Sequence, residues 1–192
     1  MGADVERAWV DGVRAGDAVA FEQIFQLYNR PLYRFAFHLL QNTDDAEDAV
    51  QGVFVSIWDS RATWRIEGSL RVYLFTAVRN RALRQLRTCR TRERLGGDVL
   101  AFGSRFRGEL VPTPEGYVQS QDLAAAIEQA VAGMPPRMRE AFLLTRDQGL
   151  TYREVAATMG TTVKTVTTHI SRALVVLRQA AAPFLALLFV VR

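Results

Sequence analysis

The chain has 192 residues, is 49% hydrophobic and carries a formal charge of +4. That apolar content excludes global disorder, and the length suits one or two small domains. A single cysteine, Cys89, excludes an internal disulfide and a cysteine-rich metal site.

The opening stretch MGADVERAWVDG has no apolar signal core, so the expected compartment is the cytoplasm. Asp17 is placed to cap a helix running to about Tyr28, and Pro31 suits the first turn of a second helix. The second carries Leu32, Phe35, Ala36 and Leu39 on one face. In NTDDAEDAVQGVFVSIWDS, Asp44 and Glu47 have capping-box spacing at the head of a third helix. Ala46, Ala49, Val50, Val53, Phe54, Ile57 and Trp58 repeat at helical spacing, opposite Asp45, Glu47, Asp48 and Gln51. Acids in that first turn also complement the helix dipole, a structural role that needs no partner.

A loop from Ser60 to Gly68 contains Trp64, and Ser69 caps a long helix to about Thr91. Charge reverses at this point. Residues 1–60 hold four Arg against ten acids, a balance of −6, whereas residues 61–94 hold ten Arg against Glu67 and Glu93, a balance of +8. Such a swing suggests two partners, one of them polyanionic; a merely solvated basic face is the other reading. Periodicity fails between Gly96 and Gln121, where glycines and prolines mark a linker. Helices are expected over 122–131 and from Pro135 to about Asp147.

The stretch GLTYREVAATMGTTVKTVTTHISRALVVLRQ reads as two helices across a tight turn. Thr151 and Glu154 form a capping box, Val155, Ala156 and Met159 supply the buried side, and Gly160 suits a left-handed helix end. Thr161 or Thr162 caps the next helix. This is the helix-turn-helix layout, in which the second helix enters the DNA major groove. On that helix Val163, Val166, Ile170, Leu174 and Leu177 share one face. Thr162, Lys164, Thr165, Thr168, His169 and Arg172 lie at its start or on the polar side. No acid follows Glu154, as suits a helix near phosphates. The apolar APFLALLFVV that follows is about half the ~20 residues of a spanning helix. It reads as a buried tail or a docking segment. His38 and His169 lack ligand-spaced companions, and no nucleophile motif, phosphate loop or metal signature occurs. Neither an enzyme nor a cofactor is expected.

The order of these blocks resembles an extracytoplasmic-function sigma factor of the sigma-70 family. DDAEDAVQGVFVSIW is similar to the helix that binds the clamp helices of RNA polymerase. GSLRVYLFTAVRNRALRQLR is similar to the regions that melt and read the −10 promoter element. MPPRMREAFLLTRDQGLTYREVAATMGTTVKTVTTHISRALVVLR is similar to region 4, which reads the −35 element. The resemblance implies an all-α, two-domain initiation factor with the core-binding and −10 domain at 1–94, a flexible linker at 95–121, region 4 at 122–180 and an apolar tail at 181–192. It places Asp45, Asp48, Gln51, Phe54 and Trp58 at or near the polymerase. Trp64, Tyr73, Arg79, Asn80, Arg81, Arg84 and Arg87 fall toward −10 DNA, with Trp64 and Tyr73 suited either to base stacking or to packing. Core RNA polymerase, promoter DNA and an anti-sigma factor are the implied partners, with no small-molecule substrate. Gly52 departs from the pattern, standing where an acid is usual. Two other readings are open from the residues alone: a dimeric helix-turn-helix regulator, and a protein-interaction module that binds no DNA.

Overall fold

A computed structural model of the chain describes residues 3–66, 68–94, 117–146 and 148–190. It holds eight α-helices: α1 (Ala3–Arg14), α2 (Ala18–Leu40), α3 (Thr43–Asp59), α4 (Leu70–Arg94), α5 (Tyr117–Gly133), α6 (Pro136–Arg146), α7 (Tyr152–Met159) and α8 (Val163–Val190). A short 3-10 turn covers Arg61–Thr63, and there is no strand among the described residues. The chain divides into two compact units, one built on α1–α4 and the other on α5, α6 and α8.

In the first unit α2 packs on α1, α3 and α4. Ile24, Leu32, Phe35, Leu74, Phe75 and Val78 are wholly or almost wholly buried. Each such side chain contributes about 1.5–3 kcal/mol through burial. Phe35 and Phe75 meet edge to face with centroids 5.4 Å apart, and Phe54 meets Phe25 in the same way at 4.9 Å. That geometry is favoured by the ring quadrupoles.

Asp17 caps α2 as expected, accepting from the Val19 N–H at 2.8 Å. Pro31 does not open a new helix; it lies inside α2. Proline deprives the carbonyl four residues back, that of Leu27, of its donor, and Leu27 stands on the exposed side of the helix. Tyr28 and Leu32 are buried on either side of Pro31, so one continuous apolar face holds the helix together. The cap of α3 is Asn42, not Asp44: its side chain accepts from the Asp45 N–H at 2.9 Å, leaving Asp44 in the first turn. Asn42 and Asp44 have the same capping chemistry, and the buried face beginning at Ala46 chooses between them.

In the second unit α5 and α6 both pack on α8, and the core includes Met134, Ala141, Leu144, Val166 and Ala173. Arg139 of α6 reaches back to the carbonyls of Val131, Ala132 and Met134 at and just beyond the end of α5, where the carbonyls run out of helical donors; the Val131 carbonyl also accepts from the Met134 N–H at 3.2 Å. α5 begins at Tyr117, five residues before its expected start, because the glycine and proline signals stop at Gly116. Most of the expected linker, 95–116, lies outside the described residues. At the other end, α8 runs past Pro183 to Val190, so the apolar tail continues the helix.

Candidate nucleic-acid and partner interface

The outer side of α3 is acidic and open. Asp44, Glu47, Asp48 and Gln51 are exposed and Asp45 is half-buried. Phe54 is only 3% exposed and is held between Phe21 and Phe25, so it anchors α3 from inside and does not present a surface. Trp58 is half-buried, 5.0 Å from the Phe21 ring, with the Arg61 guanidinium 4.7 Å over its own ring. Arg61 also donates to the Trp58 carbonyl at 2.7 Å. The sequence reading missed Arg61; the signal was a Trp and an Arg three residues apart at a helix end.

In the segment after α3 it is Trp64 that turns inward, while Ala62, Thr63 and Arg65 are exposed. Trp64 is 4% exposed, and its indole N–H has no hydrogen-bond partner among the described residues. It lines a cleft of about 660 Å³ between α1 and the loop, with Glu6, Arg7, Arg14, Arg65 and Ile66. In this arrangement Trp64 does not offer a face to a base, because the face is already used for packing. Tyr73, half-buried, is the more accessible aromatic.

Along α4 the expected DNA residues divide. Asn80, Arg81, Arg84 and Arg87 are exposed. Arg79 is 7% exposed, with Nη1 at 3.5 Å from the Asn80 side-chain oxygen, so it belongs to the interior. One apolar stripe on α4 buries Leu74, Phe75, Val78 and Ala82, and Arg79 follows Val78 directly.

The helix-turn-helix is built as its sequence indicates. Glu154 accepts from the Thr151 N–H and hydroxyl, each at 2.8 Å, and the Glu154 N–H donates to the Thr151 hydroxyl at 3.3 Å. Gly160 has φ +61°, a left-handed conformation that costs a side-chain-bearing residue about 1 kcal/mol or more. Thr162 caps α8, its hydroxyl accepting from the Thr165 N–H at 3.2 Å. Val166 and Ile170 are buried as expected, but Val163 and Leu174 are 42% and 52% exposed; Ala173 takes the core position instead. A narrow stripe is enough because α5 and α6 both crowd this side of α8.

Lys164, Thr168 and Arg172 are exposed, and Thr165 and His169 are half-buried. Thr168 donates its hydroxyl to the Lys164 carbonyl at 3.0 Å. Its proton is therefore committed, and what it offers outward is an acceptor lone pair and a methyl group. Those suit the amino group of adenine or cytosine and the methyl of thymine, rather than a phosphate.

A family model described as Sigma-70 region 2 matches residues 24–93, and one described as Sigma-70, region 4 matches residues 124–177. The RNA polymerase sigma-H factor of Pseudomonas aeruginosa is 25% identical over 181 residues, covering 92% of this chain and 93% of its own. RNA polymerase sigma factor NccH of Alcaligenes xylosoxydans xylosoxydans is 29% identical over 170 residues, covering 88% and 90%. Among solved structures, the sigma factor RpoE in complex with the anti-sigma factor NepR from Bartonella quintana matches with a TM-score of 0.68 at 25% identity, over 84% of this chain and 96% of that one. The two region matches, in this order and on these two helical units, show that the chain belongs to the sigma-70 family, in its extracytoplasmic-function group, and is an initiation factor that directs RNA polymerase to promoters.

Proposed function

We propose that the first unit grips core polymerase and the −10 element, and that the second reads the −35 element. The observation that carries this reading is the outward side of α8. It presents Lys164, Thr168 and Arg172 directly after a capped turn, with no acid in the chain beyond Glu154. Carboxylates there would be repelled by the phosphates lining a groove. Thr162, Thr165 and His169 complete that surface.

On the first unit, Asp45, Asp48 and Gln51 meet the polymerase, while Phe54 and Trp58 hold α3 in place. Tyr73 and the Ser60–Gly68 loop meet unpaired −10 bases. Asn80, Arg84 and Arg87 contact the backbone and base edges. Functional boundaries at 1–94, 95–121 and 122–180 follow from the same assignment, and the helical continuation of α8 beyond 180 is left for a further contact. RpoE was solved with an anti-sigma factor, which supports a protein of that kind as a regulator of this chain. A cytoplasmic place of work is supported by the single cysteine and by the finding that no helix among the described residues is long and apolar enough to cross a membrane.

The test is selection of DNA from a random library by polymerase loaded with this protein. The reading predicts two short conserved blocks at a fixed spacing. Palindromic sites, selected equally well without polymerase, would instead identify a dimeric regulator.

A further inference from the structure

A Cβ built on Gly52 would overlap the guanidinium of Arg81, meeting its Cζ, Nη2 and Nε. The Arg81 side chain therefore crosses from α4 and lies directly on bare α3 backbone. Any larger residue at position 52 would move it. Arg81 is exposed, and among the described residues its guanidinium has no hydrogen bond or ion pair. Its five donors are unspent among the described residues.

The surroundings narrow the chemistry of that partner. Asp48 and Ser56 lie one turn before and one turn after Gly52, and Gln51 and Val55 flank it. Asp48, Gln51 and Ser56 are exposed, and Val55 is 57% exposed. A nucleic-acid strand brings a phosphate at every nucleotide, and the acids of α3 repel such an array. A protein surface brings one carboxylate at one place. A carboxylate at position 52 itself would pair with Arg81 inside the chain; glycine leaves the guanidinium unspent. A planar fork already held against a backbone also loses little freedom when it pairs.

We propose that Gly52 is a seat that places Arg81 on the polymerase-binding side of α3, where it receives a carboxylate of core RNA polymerase. Arg81 is then a polymerase contact rather than a promoter contact. The proposal rests on the reading of α3 as the polymerase-facing helix.

The experiment measures binding of the fluorescently labelled full chain to core polymerase by anisotropy at several salt concentrations. Binding of the saturated complex to a forked promoter probe is measured in parallel. Gly52→Ala fills the seat at a point where only the end of a flexible side chain has to move, and alanine favours the helix. Arg81→Ala removes the cation. Both variants are expected to weaken core binding about tenfold, the size of a single charge-assisted contact. Arg81→Ala flattens the salt dependence. Probe binding by the saturated complex stays at the parent value, and the Gly52→Ala melting temperature is no lower than the parent's. Unchanged core binding in both variants overturns the proposal. So does a loss confined to the DNA step, which would show that the guanidinium meets phosphate. If Gly52→Ala fails to fold, Arg81→Ala and the charge reversal Arg81→Glu carry the test. Failure of the unaltered chain to bind core polymerase would count against the initiation-factor reading itself, a different result from any of these.

Discussion

Trp64 and Tyr73 meet edge to face with ring centroids 5.8 Å apart, and Trp64 is the buried member of the pair. The pair fastens the Ser60–Gly68 loop to α4. Trp64→Ala is therefore expected to cost about 3–5 kcal/mol of stability, as for other large buried aromatics. Its effect on promoter opening would then report folding. Tyr73→Leu keeps much of the apolar contact and removes the half-exposed aromatic face. Closed-complex binding should persist, while permanganate reactivity of the −10 bases falls about tenfold, within the range of one lost stacking contact. Footprints equal to the parent's would make Tyr73 a packing residue.

Tyr28 donates to Glu6 at 2.6 Å and ties α2 to α1. Burial, the hydrogen bond and the nearby carboxylate charge, in that order, raise the phenol well above its usual value near 10, against a smaller opposing effect of Arg71. The folded state thus holds this proton more tightly than the unfolded chain does. The resulting stabilisation is complete below about pH 10 and is lost as the pH rises further. Tyr28→Phe should destabilise the protein by about 1–2 kcal/mol at pH 8. By pH 11 the gap between parent and variant should narrow by about 1 kcal/mol, measured by denaturant unfolding. A gap that does not change with pH would show that the hydroxyl proton is not held this way.

Lys164 and Arg172 stand exposed on α8. Replacing either with alanine should weaken binding to −35 duplex DNA across all sequences. For each phosphate contact removed, the salt slope should fall by about 0.9. Thr168→Val keeps the methyl group and removes the acceptor, so it should relax preference at one base pair by about 1–3 kcal/mol and leave the salt slope unchanged. Gel shifts over a salt series with base-substituted duplexes separate the two behaviours. If all three substitutions shift only the salt slope, α8 binds the backbone alone.

The caps and the turn of the helix-turn-helix were legible residue by residue because local chemistry decides them, whereas packing decided that Ala173 and not Val163 or Leu174 joins the core. Thr151, Glu154, Gly160 and Thr162 act on neighbours within a few positions, and each does what its type and spacing indicate. The misreadings come where distant packing decides. Pro31 carries a local signal for a helix start, but the buried face through Tyr28 and Leu32 overrides it. Arg79 looks like one more cation in a basic run, and only the packing of α4 shows it turned inward. Trp64 could not be divided between stacking and packing without knowing what fills the space beside it. Arg81 is the clearest case: its position depends on the absence of a side chain at Gly52, 29 positions earlier in the chain.

The central claim is that the acidic outer side of α3 delivers this chain to RNA polymerase. Asp48 is exposed on that side and forms no part of the buried core. The most direct measurement is co-elution with sigma-free core polymerase on gel filtration, for the unaltered chain and for Asp48→Arg, with circular dichroism on both. The account predicts a stable complex for the unaltered chain, its loss on Asp48→Arg, and identical helical signals. Co-elution that survives Asp48→Arg would contradict it, as would loss of helical signal in the variant, which would make Asp48 a residue of the fold and not of the interface.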